Sequence, residues 1–303
     1  SLPYARLVAR APLAALADLA ALPGLTVIHP LYGAQTSVGA VESQVRGVLA
    51  LDTLQSRLGV DGTGVRVGLL SDSIANLHGG RLVGDGCQRT LTDAAPQQSG
   101  DLPASMIVLD PGPGSGRDEG SGMGEIVHDL APGADLLFAA ALPDEATFAE
   151  NIAALRACGA DIIADDVIFF AEPMFQDGIV AQAVDAVAAD GALFFSAAAN
   201  AGDSGIDQVY RDSDPRDEVA NPPTGVDLHD FGGGQTYAAI TIPARCDLRA
   251  VLQWNEPFSG TLGSGAHTDL DLYFYGSPPP DGRILASSTD TQGCAAGGGA
   301  LGD

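Results

Sequence analysis

Three polar side chains, Asp72, Glu119 and Asn200, occupy comparable places along this sequence, each beside an apolar or periodic run. The apolar residues 64–70 lead into Ser71-Asp72-Ser73, the loop Asp118-Glu119-Gly120-Ser121-Gly122 leads into a helical pattern, and residues 193–199 end at Asn200-Ala201-Gly202. Two neighbouring carboxyl groups resist joint ionisation, so one of them can accept and return a proton. A carboxamide can donate to an oxygen that gains negative charge. A further pair, Asp165-Asp166, closes another apolar run. Adjacent acids leaving a buried strand are costly unless solvated or paired at its end. Each residue also has a plain structural reading: Asp72 as a cap, Glu119 as an acid favoured by a helix dipole, Asn200 as a turn residue.

These residues need a frame that brings them together. Apolar runs at 65–70, 105–109, 136–140, 161–170 and 192–198 read as strands, and helical patterns at 41–58, 120–130, 147–157 and 179–190 separate them. Runs that are apolar throughout, rather than alternating, belong to strands buried on both faces, as in a parallel sheet. The expected class is therefore α/β, a doubly wound parallel sheet, whose functional groups collect at the carboxyl ends of the strands. Residues 1–35 form a separate βαβ-like segment, with strands expected at 5–9 and 25–29 and a helix at 12–22. It is too short to hold a core alone. The α/β core spans 36–225. From 226 to 303 the pattern changes to period-two runs at 236–242, 250–254, 269–275 and 284–288, which predicts a small antiparallel β-sandwich.

Composition narrows the partners. The 303 residues carry 14 basic side chains, all arginine, against 39 acidic ones, for a net charge of −25. Nucleic acid and anionic membrane are excluded, because both require a cationic face. No run reaches the 18 apolar residues of a membrane span. No export signal opens the chain at Ser1, so one that existed has been removed or lies outside these residues. The four cysteines, 87, 158, 246 and 294, lack metal-binding spacing. Cys158 reads as a small buried hydrophobe, while Cys246 and Cys294 bracket the C-terminal segment and could be stapled. That pairing and the acidic surface predict a secreted or extracytoplasmic location. Asp269 and Asp271 alternate along one strand face, where they would either ligate calcium or remain solvated.

Three blocks carry a family resemblance. Asp61-Gly-Thr-Gly-Val-Arg-Val-Gly-Leu-Leu-Ser-Asp72-Ser73 is similar to the aspartate block of subtilisin-like serine proteases. Asp118-Glu119-Gly-Ser-Gly-Met-Gly-Glu-Ile-Val, with Ala131-Pro-Gly-Ala134, resembles the histidine block. Gly191-Ala-Leu-Phe-Phe-Ser-Ala-Ala-Ala-Asn200-Ala-Gly202 resembles the oxyanion-hole block. They follow the family's order over residues 36–220, and residues 1–32 look like the end of an inhibitory propeptide. Where the family has His-Gly-Thr, this chain has Glu119-Gly120-Ser121. The related sedolisins also use Glu as base, but they place Asp where this chain has Met123 and Asn200. The nucleophile block Gly-Thr-Ser-x-Ala-x-Pro is absent from the 303 residues.

The resemblance implies a serine endopeptidase acting on protein or peptide substrates, with its serine beyond Asp303, so that the chain alone is expected to be inert. Glu119 would be the general base, Asp72 would orient it, and Asn200 would stabilise the oxyanion. Asp165 and Asp166 would line the substrate groove. A proton shared between Asp72 and Glu119 predicts an acidic optimum. No cofactor is required, and calcium remains open. His128 cannot replace Glu119, because nine residues along a helix turn it through about 180°. Residues 251–257 with 269–275 resemble the jelly-roll or prepeptidase modules of secreted proteases. The competing reading is a catalytically dead binding or scaffolding protein. A third, nucleophilic Ser264, lacks the strand–helix elbow that such a serine needs.

Overall fold

The computed structural model describes residues 11–23, 45–77, 79–200, 202, 205–213, 227–258, 265–278 and 282–290. The strands expected at 5–9 and 25–29, Ser264 and Cys294 lie outside them. The described residues form a mixed α/β structure with a seven-stranded, mostly parallel sheet and a separate two-stranded antiparallel sheet.

The five parallel strands each fall on an apolar run that predicts one, four of them within two residues at both ends. They are β1 (Arg66–Ser71), β4 (Met106–Asp110), β5 (Asp135–Ala140), β6 (Ile162–Asp165) and β7 (Leu193–Ser196). Between β1 and β4 the chain makes an excursion without a clear apolar signature: short strands β2 (Arg81–Val83) and β3 (Thr90–Thr92) pair antiparallel and join the sheet through β4. The spatial order is β2-β3-β4-β5-β1-β6-β7, so among the described residues β7 is an edge and β1 lies inside the sheet.

Seven α-helices are described: α1 (Leu16–Ala20), α2 (Val45–Val48), α3 (Leu51–Leu58), α4 (Ala95–Ser99), α5 (Glu119–Leu130), α6 (Glu145–Ala157) and α7 (Ile179–Ala189). The helix expected over 41–58 is interrupted at Ala50, which takes a left-handed φ of 50°. Asp144 caps α6 by accepting from the Thr147 amide at 2.8 Å. Phe148, Ala149, Ile152 and Leu155 then form its buried stripe at helical spacing.

Two cores sandwich the sheet. Leu70, Leu137 and Ile163 point to the face covered by α6 and α7. Val67, Leu69, Leu136 and Phe138 point to the other face, where Met123 and Val127 of α5 pack. The connections β4–α5–β5, β5–α6–β6 and β6–α7–β7 all step the same way along the sheet. Parallel crossovers that step alike but place helices on opposite faces have opposite hands. The α5 connection therefore has the opposite hand to the α6 and α7 connections. This gives α5 its own face over β1 and β5.

Three expectations change. The 161–170 strand ends at Asp165. The 192–198 strand, expected to be buried on both faces, leaves Leu193 at 58% and Phe195 at 57% exposure because β7 is an edge. In the C-terminal region, 236–242 and 250–254 form no strand. Among the described residues the expected sandwich reduces to β8 (Leu272–Tyr275) paired with β9 (Ile284–Ser288).

Side-chain hydrogen bonds take the place of a ladder in that region. Glu256 accepts from the His267 and Thr268 amides, the Thr268 hydroxyl and the Trp254 indole. Led by the Thr268 bonds, these donors hold its carboxyl down at about 2. Gln253 donates to the Glu172 carbonyl and accepts from the Met174 amide, and the Arg249 guanidinium sits 5.2 Å from the Phe170 ring centre. Segment 249–253 is thereby fastened to the loop that follows β6.

The cysteine expectations are also corrected. Cys158 is buried, but it is bonded to Cys87 across 71 residues, tying the β2–β3 excursion to the end of α6. Cys246 is exposed and free. The spacing of the four cysteines could not distinguish these pairings.

Candidate functional site

Strand β1 delivers Ser71 and then Asp72 to the carboxyl end of the sheet, where the N-terminus of α5 arrives from β4. Asp72 is 3% exposed. One of its oxygens accepts from the Glu119 amide at 2.9 Å, and the other accepts from the Arg117 amide. The first turn of a helix presents amide groups with no intrahelical partner. Asp72 satisfies one of them from a distant strand, and Glu119 is fixed beside it.

Glu119 is itself 8% exposed, with both carboxyl oxygens shielded from solvent. The link between Asp72 and Glu119 therefore runs from amide to carboxylate.

Close backbone approach makes this junction possible. A Cβ on Gly116 would lie 2.0 Å from the Ser73 hydroxyl, and one on Gly112 would lie 2.4 Å from the Asp72 carbonyl. Gly120 is equally confined: its Cβ would fall 2.2 Å from the Phe138 ring and 2.7 Å from the Ser73 carbonyl oxygen. Gly→Ala inside a helix ordinarily stabilises by about 1 kcal/mol. Here Phe138 is wholly buried and the second obstacle is backbone, so Gly120→Ala is expected to destabilise by about 2 kcal/mol. Urea titration measures the sign, and a gain in stability would contradict this packing.

The other expected residues reach the same rim differently. Asn200 is exposed in the turn after β7, following Ala199 with a φ of 58°. Its strand stands two places from β1, about 10 Å away at ordinary strand spacing.

Asp165 is 5% exposed and accepts from the Ser196 hydroxyl at 3.1 Å and the Val167 amide at 3.3 Å. Its register neighbour Leu70 points to the α6–α7 face, and so does its carboxyl. It therefore braces β6 against β7 from within and does not line an open groove in this structure. Burial pushes its carboxyl up to about 6, against the Ser196 and Val167 bonds. Asp166 is half-buried on the opposite side, near the Ser71 hydroxyl and Asp72. Burial is again the main cause of its rise to about 6, and the Asp72 charge adds to it.

Several residues at this rim escape the sequence reading. Glu172 is pushed up to about 7, first by burial and then by the charge of Glu145, whose own carboxyl burial also raises. Asp118 is 3% exposed and bonded to the turn after β1. Its place immediately before Glu119 was the only sequence signal for it. Among the described residues, no three His, Cys, Asp or Glu side chains are placed to hold a metal ion. Asp271 accepts from the Tyr273 hydroxyl at 3.0 Å.

No protein-family profile matches this chain, and no curated protein matches it. Among solved structures it is similar to MycP1 with the N-terminal propeptide removed, at 21% identity and a TM-score of 0.29. The match covers 59% of this chain and 55% of that one, so the chain spans little more than half the length of that structure. A likeness this faint leaves the assignment to the residues themselves.

Proposed function

We propose that this chain carries most of the active site of a subtilisin-like serine endopeptidase that uses Glu119 as its general base. The observation that carries the reading is the 2.9 Å bond between Asp72, at the end of β1, and the Glu119 amide at the start of α5. It joins two of the three blocks that resemble the family, which lie 47 residues apart.

In the proposed reaction, a serine from a further segment adds its oxygen to the peptide carbonyl carbon as Glu119 takes the hydroxyl proton. Asn200 donates to the oxyanion, and Glu119 returns the proton to the leaving amine. Water then releases the acyl group by the same proton transfers in reverse roles. Asp72 orients Glu119 through the backbone. The reaction calls for no cofactor.

An acidic working range is part of the proposal. Protonated carboxyls at Asp165, Asp166 and Glu172 favour the fold at low pH. An extracytoplasmic location accords with the Cys87–Cys158 disulfide, which persists in oxidising compartments.

The test joins this chain to a serine-bearing segment from its parent reading frame and follows hydrolysis of a peptide library. Glu119→Gln should lower kcat/KM by about 10²-fold or more, the scale of a lost general base. Unchanged hydrolysis in that variant would remove Glu119 from the mechanism. A reading frame without such a segment, together with peptide binding but no turnover, would establish the competing binding module.

A further inference from the structure

The loop after β1 and the loop before α5 exchange carboxylates. Asp72, from the first, accepts from the Arg117 and Glu119 amides of the second. Asp118, from the second, accepts from the Ser73 hydroxyl at 3.1 Å, the Asn76 amide at 2.9 Å and the Leu77 amide of the first. The Asp118 amide in turn donates to the Ser73 hydroxyl at 2.9 Å, and the Gly120 amide donates to the Ser73 carbonyl at 3.2 Å. Each loop thus satisfies backbone donors of the other, and the junction closes in both directions.

Asp118 sits at the pivot of this exchange. Its φ of 59° and ψ of 37° are left-handed, a conformation that Asp adopts more readily than most residues. There its side chain reaches the 73–77 turn while the next amide, that of Glu119, meets Asp72. Buried carboxylates with several N–H donors hold a segment strongly, because removing the acceptor leaves those donors unsatisfied.

We propose that Asp118 is a positioning residue: its carboxylate, beyond its backbone conformation, holds Glu119 in register with Asp72. The proposal rests on the reading of Asp72 and Glu119 as a functional pair, yet the geometry it concerns is measurable without turnover.

Asp118→Gly separates the two contributions, since glycine takes the left-handed conformation freely but supplies no carboxylate. In the chain as it stands, amide exchange and the amide ¹H shift of Glu119 are recorded by NMR, with the β1 and β5 amides as internal controls. The expected result is exchange at least tenfold faster at Glu119, Asn76 and Leu77, and an upfield move of the Glu119 amide, with the β1 and β5 amides protected as before. Asp118→Asn, which keeps one acceptor oxygen, should restore part of both effects. Ser73→Ala gives a milder variant if glycine prevents folding, and should speed Glu119 exchange in the same direction.

An unchanged Glu119 amide in a folded Asp118→Gly variant would overturn the proposal. So would a loss of protection spread evenly through the sheet, which is the signature of general destabilisation. Failure of the peptidase reading shows elsewhere, as undiminished hydrolysis by Glu119→Gln in the completed chain, and leaves these exchange results standing.

Discussion

Reducing the Cys87–Cys158 disulfide is expected to lower the thermal midpoint by roughly 10 °C. The bond closes a loop across 71 residues, from the β2–β3 excursion to the C-terminal end of α6. On loop-closure entropy, a cross-link of that span stabilises by about 4 kcal/mol, and a domain of this size loses roughly 2–4 °C per kcal/mol. The bond also restrains the sheet edge opposite β7, where β2 and β3 have little else to hold them: they have three residues each, and only Leu91 of the two strands is fully buried. Calorimetry with and without reductant, and on Cys87→Ser with Cys158→Ala, measures the effect. Matching midpoints would show that the covalent link adds nothing to the packing. Asp72 lies outside the closed loop and Glu119 inside it, but their bond is direct. The reduced yet folded protein should therefore keep that contact.

The fold is expected to be more stable near pH 4.5 than near pH 8. Asp165 and Asp166 are raised to about 6 and Glu172 to about 7, each chiefly by burial. A carboxyl whose folded value lies above its unfolded value binds its proton more tightly when folded. Its stabilising contribution is complete below the unfolded value near 4 and is lost as pH rises through 6 to 7.

For the nearly inaccessible Asp165 this amounts to about 2–3 kcal/mol at 1.36 kcal/mol per pH unit. The half-buried Asp166 and Glu172 add roughly 1 kcal/mol each after allowance for solvent screening. Asp61, Asp230 and Glu256 are shifted the other way by hydrogen-bond donors, so their contributions fade only under stronger acid. The net charge of −25 adds self-repulsion that grows with pH. Urea titrations at the two pH values test the direction. Asp165→Asn should raise stability at pH 8 and flatten the pH dependence, and greater stability of the parent chain at pH 8 would refute it.

These two effects were unequally legible in the sequence. The acids at 165 and 166 stand out because they end an apolar run. Which face each would choose was not readable until β6 acquired neighbours: pairing with Leu70 and Ser196 turned Asp165 inward, and Asp166 was left beside Ser71 and Asp72. The cysteine pairing was invisible because a disulfide depends on two Cβ atoms meeting in space, and residues 87 and 158 share no local pattern.

The C-terminal strands illustrate the opposite error. Period-two alternation at 236–242 and 250–254 marks segments able to form strands. A ladder also requires a partner of matching register, and the described residues supply one only for β8.

By itself the sequence determined the succession of apolar strands and amphipathic helices, and with it the placing of Asp72 after β1 and Glu119 at the first turn of α5. Burial on both faces and helical periodicity are local properties, written in residues a few places apart. Only the tertiary structure decided the opposite faces taken by α5 and by the α6 and α7 pair, the inward turn of Asp165, the partner of Cys158, and the two-way exchange of carboxylates at Asp72 and Asp118. Each of these depends on donors, faces or thiols brought together from distant parts of the chain. Backbone amide groups, the chief partners of both carboxylates, are common to nearly every residue and leave no mark in a sequence.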